Sequence, residues 1–156
     1  MFRHFSILFF LLAIYPNPYG TSYLLHAQQS KVDSLHFFLK NGKADTNKVI
    51  HLCKLSQEYL AINKYDSALY YGQTALQLSR ELGFQKGIAI SYNNIGNSYY
   101  QLGNYPESLK NHFLSLKIRE ALGGKKAIAS SYNNIGNVYV AQGNYPEALK
   151  NYSVSL

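Results

Sequence analysis

The sequence predicts an all-α superhelix of antiparallel helix pairs. Three observations predict it. First, residues 88–116, "IAISYNNIGNSYYQLGNYPESLKNHFLSL", return as residues 128–156, "IASSYNNIGNVYVAQGNYPEALKNYSVSL", with twenty of twenty-nine positions identical and no gap. Self-similarity at a fixed period of about 20–50 residues is the signature of a solenoid or array. Second, the apolar positions inside each copy follow a helical period. Tyr92, Ile95, Gly96 and Tyr99 stand at i, i+3, i+4 and i+7, and Tyr132, Ile135, Gly136 and Tyr139 repeat the set. Third, each copy is punctuated as two helices. Gly103 and Gly143 fit a left-handed helix end, and Pro106 and Pro146 fit the first turn of the next helix, where a missing N–H costs little.

Composition sets the outer bounds. A chain of 156 residues, 47% hydrophobic and 15% charged, has the apolar content for a folded domain. The single cysteine, Cys53, rules out an internal disulfide and a thiolate-built metal site. The formal charge of +7 comes from Lys and Arg placed singly, with only Lys125 and Lys126 adjacent. No basic run is available to track a phosphate backbone, so the charge reads as solvated surface and no nucleic acid is expected.

The first element is the N-terminal "MFRHFSILFFLLAIY". Arg3 precedes an apolar run from Phe5 to Tyr15 broken only by Ser6. At about eleven residues the run is short of the roughly twenty needed to span a bilayer, and it suits the core of a secretory signal. Pro16 and Pro18 are expected to break any helix there. Cleavage is expected after Ala27, in "LLHAQQS", giving a signal over residues 1–27 and an exported, periplasmic or envelope-associated protein. An uncleaved anchor is the alternative. No Cys follows the run, which disfavours lipoprotein processing. Residues 28–44 form a capping segment, with an extra short helix expected over 32–39.

Three copies follow. Stepping back forty residues from Tyr105, Tyr99 and Ile95 gives Tyr65, Tyr59 and Leu55, so a degenerate first copy spans 45–84. The second spans 85–124 and the third 125–156. In the first copy Ser56 stands for the Gly and Gly72 for an aromatic. The second helix of the middle copy carries Leu109, Leu116, Ile118 and Leu122 and ends near Gly123 and Gly124. Glu107 and Glu147 in the first turn complement the helix dipole. Small residues recur where two helices must approach: Gly96 and Gly136 on first helices, Ala68, Ser108 and Ala148 on second helices. A glycine inside a helix costs about 1 kcal/mol relative to Ala, which close packing of the partner helix would offset.

The second and third copies resemble tetratricopeptide repeats. The residues that carry the resemblance are Tyr92, Ile95, Gly96, Tyr99, Gly103, Tyr105, Ser108 and Ser115, then Tyr132, Ile135, Gly136, Tyr139, Gly143, Tyr145, Ala148 and Ser155. The resemblance implies a right-handed superhelix. The common unit has 34 residues and closes on Pro, whereas the period here is forty and Glu120 stands at the Pro position.

No catalytic constellation appears. His51 and His112 are isolated, and His112 occupies the position of Tyr152 in the next copy, as a core or rim substituent. Cys53 has no neighbouring activator. "GNSYY" and "GGKK" lack the spacing of a phosphate loop. Neither a cofactor nor a metal is expected, and the chain reads as non-enzymatic.

The asparagines are the informative polar residues. Asn93 and Asn97 share a helix face away from the apolar one, and Asn133 and Asn137 repeat the pair. In tetratricopeptide arrays the first helices line a concave groove, so the resemblance places Asn93, Asn97, Asn133 and Asn137 there, with Tyr100 as an apolar contact. Carboxamides about 10 Å apart on stacked helices offer donors and acceptors to the backbone of an extended peptide. The alternative is a solvated polar face, with Asn94 and Asn134 bonding neighbouring turns. A Lys-rich clamp for acidic chaperone tails is not expected, because Asn93 and Asn133 stand at the Lys positions and only Lys54 is basic on the matching face.

The third copy stops within its second helix, with Val154 and Leu156 apolar. End repeats usually carry a polar cap, so the expectation is a longer native protein, or self-association through the open repeat. Exported arrays of this style resemble the sensory regions of bacterial envelope signalling proteins. The expected function is a protein- or peptide-binding scaffold, the sensory or docking region of such a protein. The alternatives are a free-standing periplasmic adaptor and the N-terminal part of a histidine kinase or nucleotide cyclase. Membrane contact is expected only through the signal or a downstream helix.

Overall fold

The computed structural model describes residues 18–155. Seven helices make up these residues, joined by short turns: α1 (Pro18–Asn41), α2 (Thr46–Ala61), α3 (Tyr65–Glu81), α4 (Gln85–Gln101), α5 (Tyr105–Leu122), α6 (Lys125–Ala141) and α7 (Tyr145–Ser155). The apolar run expected to be a signal lies outside the described residues. Pro18 opens a helix instead of ending one, and the short helix expected over 32–39 is the C-terminal part of α1. No helix among the described residues is long and apolar enough to cross a membrane.

The turns fall at regular intervals. Asn63, Gly83, Gly103, Gly123 and Gly143 all have positive φ, between 59° and 74°. Each follows a helix and takes the left-handed conformation that turns the chain back. Asn63 is the one non-glycine among them, and asparagine tolerates that region better than most residues. Helix starts are set locally too. Asp45 accepts from the Lys48 N–H at 2.9 Å, and Asn104 and Asn144 accept from the Glu107 and Glu147 N–H groups at 3.4 Å.

The pairs are α2/α3, α4/α5 and α6/α7, with α1 covering the free side of α2. Successive first helices also touch, α2 on α4 and α4 on α6, whereas α3, α5 and α7 do not touch one another. The first helices therefore lie on the inner, concave side of the stack. Leu55, Ile95 and Ile135 form its buried spine, at matched positions of the three copies.

Close approach within each pair follows from the small residues. Ala68, Ser108 and Ala148 are buried in the second helices. The Ser108 hydroxyl donates to the Gly96 carbonyl at 2.8 Å, and the Ser115 hydroxyl to the Ala89 carbonyl at 2.7 Å. In the first copy the donor is on the other helix: Ser56, at the position of Gly96, donates to the Ala68 carbonyl at 2.7 Å. Gly96 and Gly136 make room for rings. A Cβ on Gly96 would lie 2.8–3.0 Å from the His112 imidazole, and one on Gly136 2.5–3.0 Å from the Tyr152 ring. Gly96→Ala is therefore expected to lower stability in urea unfolding by about 1–3 kcal/mol through overpacking, despite the better helix propensity of Ala. A stability equal to or above the parent's would show that the His112 ring can shift at no cost.

The tyrosines named as repeat-packing residues pack at the edge of the core, most of them half-buried. Tyr92 and Tyr132 are half-buried, and their hydroxyls latch one copy to the next. The Arg80 guanidinium donates to the Tyr92 oxygen at 2.6 Å, and the Tyr132 hydroxyl donates to Glu120 at 3.2 Å. Tyr99, Tyr105 and Tyr139 are half-buried. Tyr145 is 63% exposed. Its counterpart Tyr105 sits 6.0 Å from the Tyr100 ring, but Val140 replaces that ring in the third copy. Leu122, expected on the apolar face of α5, is exposed. At the other end, His36 of α1 bonds the Tyr59 hydroxyl at 2.9 Å beside the stacked rings of Tyr59 and Tyr71, fixing α1 on the first pair.

Candidate functional site

The concave face carries the polar residues of α2, α4 and α6. Two kinds of asparagine are found there. Asn94 and Asn134 tie adjacent first helices together. The Asn94 carboxamide donates to the Cys53 carbonyl at 2.9 Å and accepts from Gln57 at 3.2 Å. Asn134, one copy later, donates to the Asn93 oxygen at 2.9 Å. Asn94 is buried, as a structural carboxamide with its partners satisfied should be.

Asn97, Tyr100 and Gln101 of α4 and Asn134 and Asn137 of α6 line a cavity of about 180 Å³ on this face. Leu60 of α2 and His112 of α5 complete the wall. Of the five residues expected to form a groove, Asn97, Tyr100 and Asn137 thus meet. Asn93 and Asn133 lie apart from the cavity. Asn93 is engaged by Asn134, and the Asn133 oxygen accepts from the Ser155 hydroxyl at 2.7 Å. The Tyr152 hydroxyl donates to Asn137 at 2.7 Å, which orients that carboxamide.

Leu60, Gln101 and His112 were not legible as members of the site. Leu60 is the counterpart of Tyr100 one copy earlier, which the period of forty could have indicated. His112 is the counterpart of Tyr152, but it reaches the inner face only because Gly96 leaves the space. It is 1% exposed, and its Nδ1 has no hydrogen-bond partner among the described residues. Burial, aided by the nearby Arg119 guanidinium, lowers its pKa to about 4, so the ring is neutral at pH 7. Arg119 itself points to the next copy, donating to the Ala127 carbonyl at 2.9 Å and the Ser131 hydroxyl at 2.8 Å.

The arrangement is suited to binding. Its carboxamides supply donors and acceptors without charge, and no Lys, Arg, Asp or Glu lines the cavity. Cys53 is buried, bonded to the Ser91 hydroxyl at 3.5 Å, and burial pushes its thiol pKa up, away from a reactive thiolate. Among the described residues no group of three His, Cys, Asp or Glu side chains is placed to hold a metal.

Comparison with known proteins places the fold. Residues 87–156 match the tetratricopeptide repeat family model. No curated protein matches the chain. Among solved structures, the TPR domain of Arabidopsis FLU is similar with a TM-score of 0.66 and 22% identity, over 70% of this chain and 92% of that one. The apo form of RapI is similar with a TM-score of 0.76 and 21% identity, over 85% of this chain and 50% of that one. A Rap protein complexed with Competence and Sporulation Factor is similar with a TM-score of 0.71 and 20% identity, over 82% of this chain and 36% of that one. The chain thus spans half or less of the two Rap proteins. Likeness at these identities carries the fold alone, an all-α superhelix of helix pairs.

Proposed function

We propose, from the match of residues 87–156 to the tetratricopeptide repeat family model, that the chain binds an extended peptide or protein segment along its concave face. The observation that carries this reading is the cavity where Asn97, Tyr100 and Asn137 converge from two successive first helices. Carboxamides at matched positions of stacked helices can pair with successive peptide groups of an extended strand, and the half-buried Tyr100 adds apolar area beside them.

The binding region is an exported one, a sensory or docking part of a bacterial envelope signalling protein. Arg3 and the apolar run from Phe5 to Tyr15 support export, and the style of the repeated "SYNNIGN" and "GNYPEALK" units supports the signalling setting. Fusing residues 1–40 to a reporter active only after export tests the first half of this statement. A reporter that stays inactive would remove it.

The binding face is tested by selecting a displayed random peptide library on the full chain. Asn97→Ala combined with Asn137→Ala is expected to weaken the selected peptides about tenfold or more, the loss of two hydrogen-bonding carboxamides. The circular dichroism spectrum and melting temperature are expected to stay unchanged, because neither side chain is in the core. Selected peptides that bind the double variant equally well would move the site off the concave face.

A further inference from the structure

The cavity has a property that backbone recognition does not require. It is a recess whose wall includes His112, a residue that is 1% exposed and whose Nδ1 has no hydrogen-bond partner among the described residues. Buried polar atoms are almost always paired, and an exception calls for a reason. In the third copy the same position is filled: Tyr152 packs on Gly136 and its hydroxyl reaches Asn137. In the second copy His112 packs on Gly96 in the same way, and its ring is shorter and carries no hydroxyl. Asn97, Gln101 and Asn137 stand around the recess beside the shorter ring.

The chemistry of the wall selects the occupant. A charged group would enter without a countercharge and lose its hydration, an unfavourable exchange. An aliphatic group would cover the carboxamides and leave them unpaired, at about 1–3 kcal/mol for each lost partner. A group that is neutral, planar and both donor and acceptor meets neither penalty. At about 180 Å³ the recess has room for one side chain of moderate size.

We propose that the recess bounded by Leu60, Asn97, Gln101, His112 and Asn137 is a side-chain subsite for a primary carboxamide, the Gln or Asn side chain of a peptide lying in the groove. The proposal rests on the reading of the concave face as a peptide groove and gives that groove a sequence preference. The carboxamide N–H groups face the oxygens of Asn97 and Asn137, and its oxygen faces their N–H groups or the Gln101 amide.

The test uses the full chain and three small probes at pH 7: N-acetyl-glutamine methylamide, N-acetyl-glutamate methylamide and N-acetyl-norleucine methylamide. NMR follows the His112 ring and the side-chain amides of Asn97 and Asn137. The glutamine probe is expected to give saturable shifts at all three. The other two probes are expected to bind at least about tenfold more weakly, the cost of an unpaired or desolvated group. His112→Tyr fills the recess with the residue that the third copy uses, and Leu60→Phe fills it from α2 with an aromatic like Tyr100. Each is expected to abolish the response while leaving the remaining spectrum in place, and the second covers the case in which the first perturbs α5. Equal binding of the glutamate or norleucine probe, no saturation with the glutamine probe, or a response that survives both fillings would overturn the subsite. Library-selected peptides that depend on Asn97 and Asn137, show no carboxamide preference and ignore both fillings would leave the groove standing and remove the subsite alone.

Discussion

Acidification from pH 6.5 to about 4 is expected to cost the fold roughly 3 kcal/mol through His112 alone, and His112→Tyr is expected to remove that loss. The ring's pKa falls from 6.5 to about 4 on folding, because burial disfavours the imidazolium and Arg119 adds a like charge nearby. Each pKa unit is worth about 1.4 kcal/mol of stability. The sign follows from proton uptake. Below pH 6.5 the unfolded chain binds a proton that the folded ring refuses until about pH 4, so stability falls as pH falls through that window. Above pH 6.5 both states are neutral and the full stability is present.

Urea unfolding of the parent and the variant at pH 7, 5.5 and 4.5 measures the difference. Other groups titrate in both proteins, so the diagnostic quantity is the gap between the two pH slopes. Tyr at position 112 has a precedent in Tyr152, with Gly96 providing the space that Gly136 provides in the third copy. Parallel slopes would mean that His112 is protonated in the folded state at no cost, and the buried, neutral ring would have to be abandoned.

Leu55→Ala and Ile95→Ala are each expected to lower stability by about 2–5 kcal/mol. The two residues occupy the same position of successive copies, at 0% and 3% exposure. Each side chain fills the space between a first helix and its neighbours, and truncation leaves a cavity that rigid helices close only in part. A solenoid is held together by interfaces between adjacent units, so Ile95, in the middle pair, touches the coupling on both sides. Val140→Ala, on the exposed part of the same array, is the matched control and is expected to change stability by less than about 0.5 kcal/mol. Urea midpoints at pH 7 decide the matter. A loss below about 1 kcal/mol at either spine position would show that the pairs are held by the latches of Tyr92 and Tyr132 more than by the buried spine.

The asparagine pairs were only half legible. Asn93 and Asn97 look alike in the sequence, four residues apart on one face, as do Asn133 and Asn137. Yet Asn93 is engaged by Asn134 from the next first helix, while Asn97 opens onto the cavity. A helical period gives the face a residue belongs to. It does not give the rotation of one helix against the next, and that rotation decides which carboxamide meets a neighbour and which meets solvent. The tyrosines teach the same lesson. Their spacing put Tyr92 and Tyr132 on the packing face, and only the stacked copies reveal that their hydroxyls end on Arg80 and Glu120.

By itself the sequence determined the local and the periodic features. The helix ends at Gly103 and Gly143, the starts at Pro106 and Pro146, the buried Leu55, Ile95 and Ile135, and the close contact at Gly96 and Gly136 all follow from backbone preference or from a repeat that copies one environment forty residues on. Only the tertiary structure decided the site. Leu60, Gln101 and Asn137 meet because the first helices α2, α4 and α6 converge on the inner side of the stack, and His112 of α5 joins them by packing on Gly96. The unpartnered Nδ1 of His112 follows from one exchange, His for Tyr, whose consequence depends on the space above Gly96.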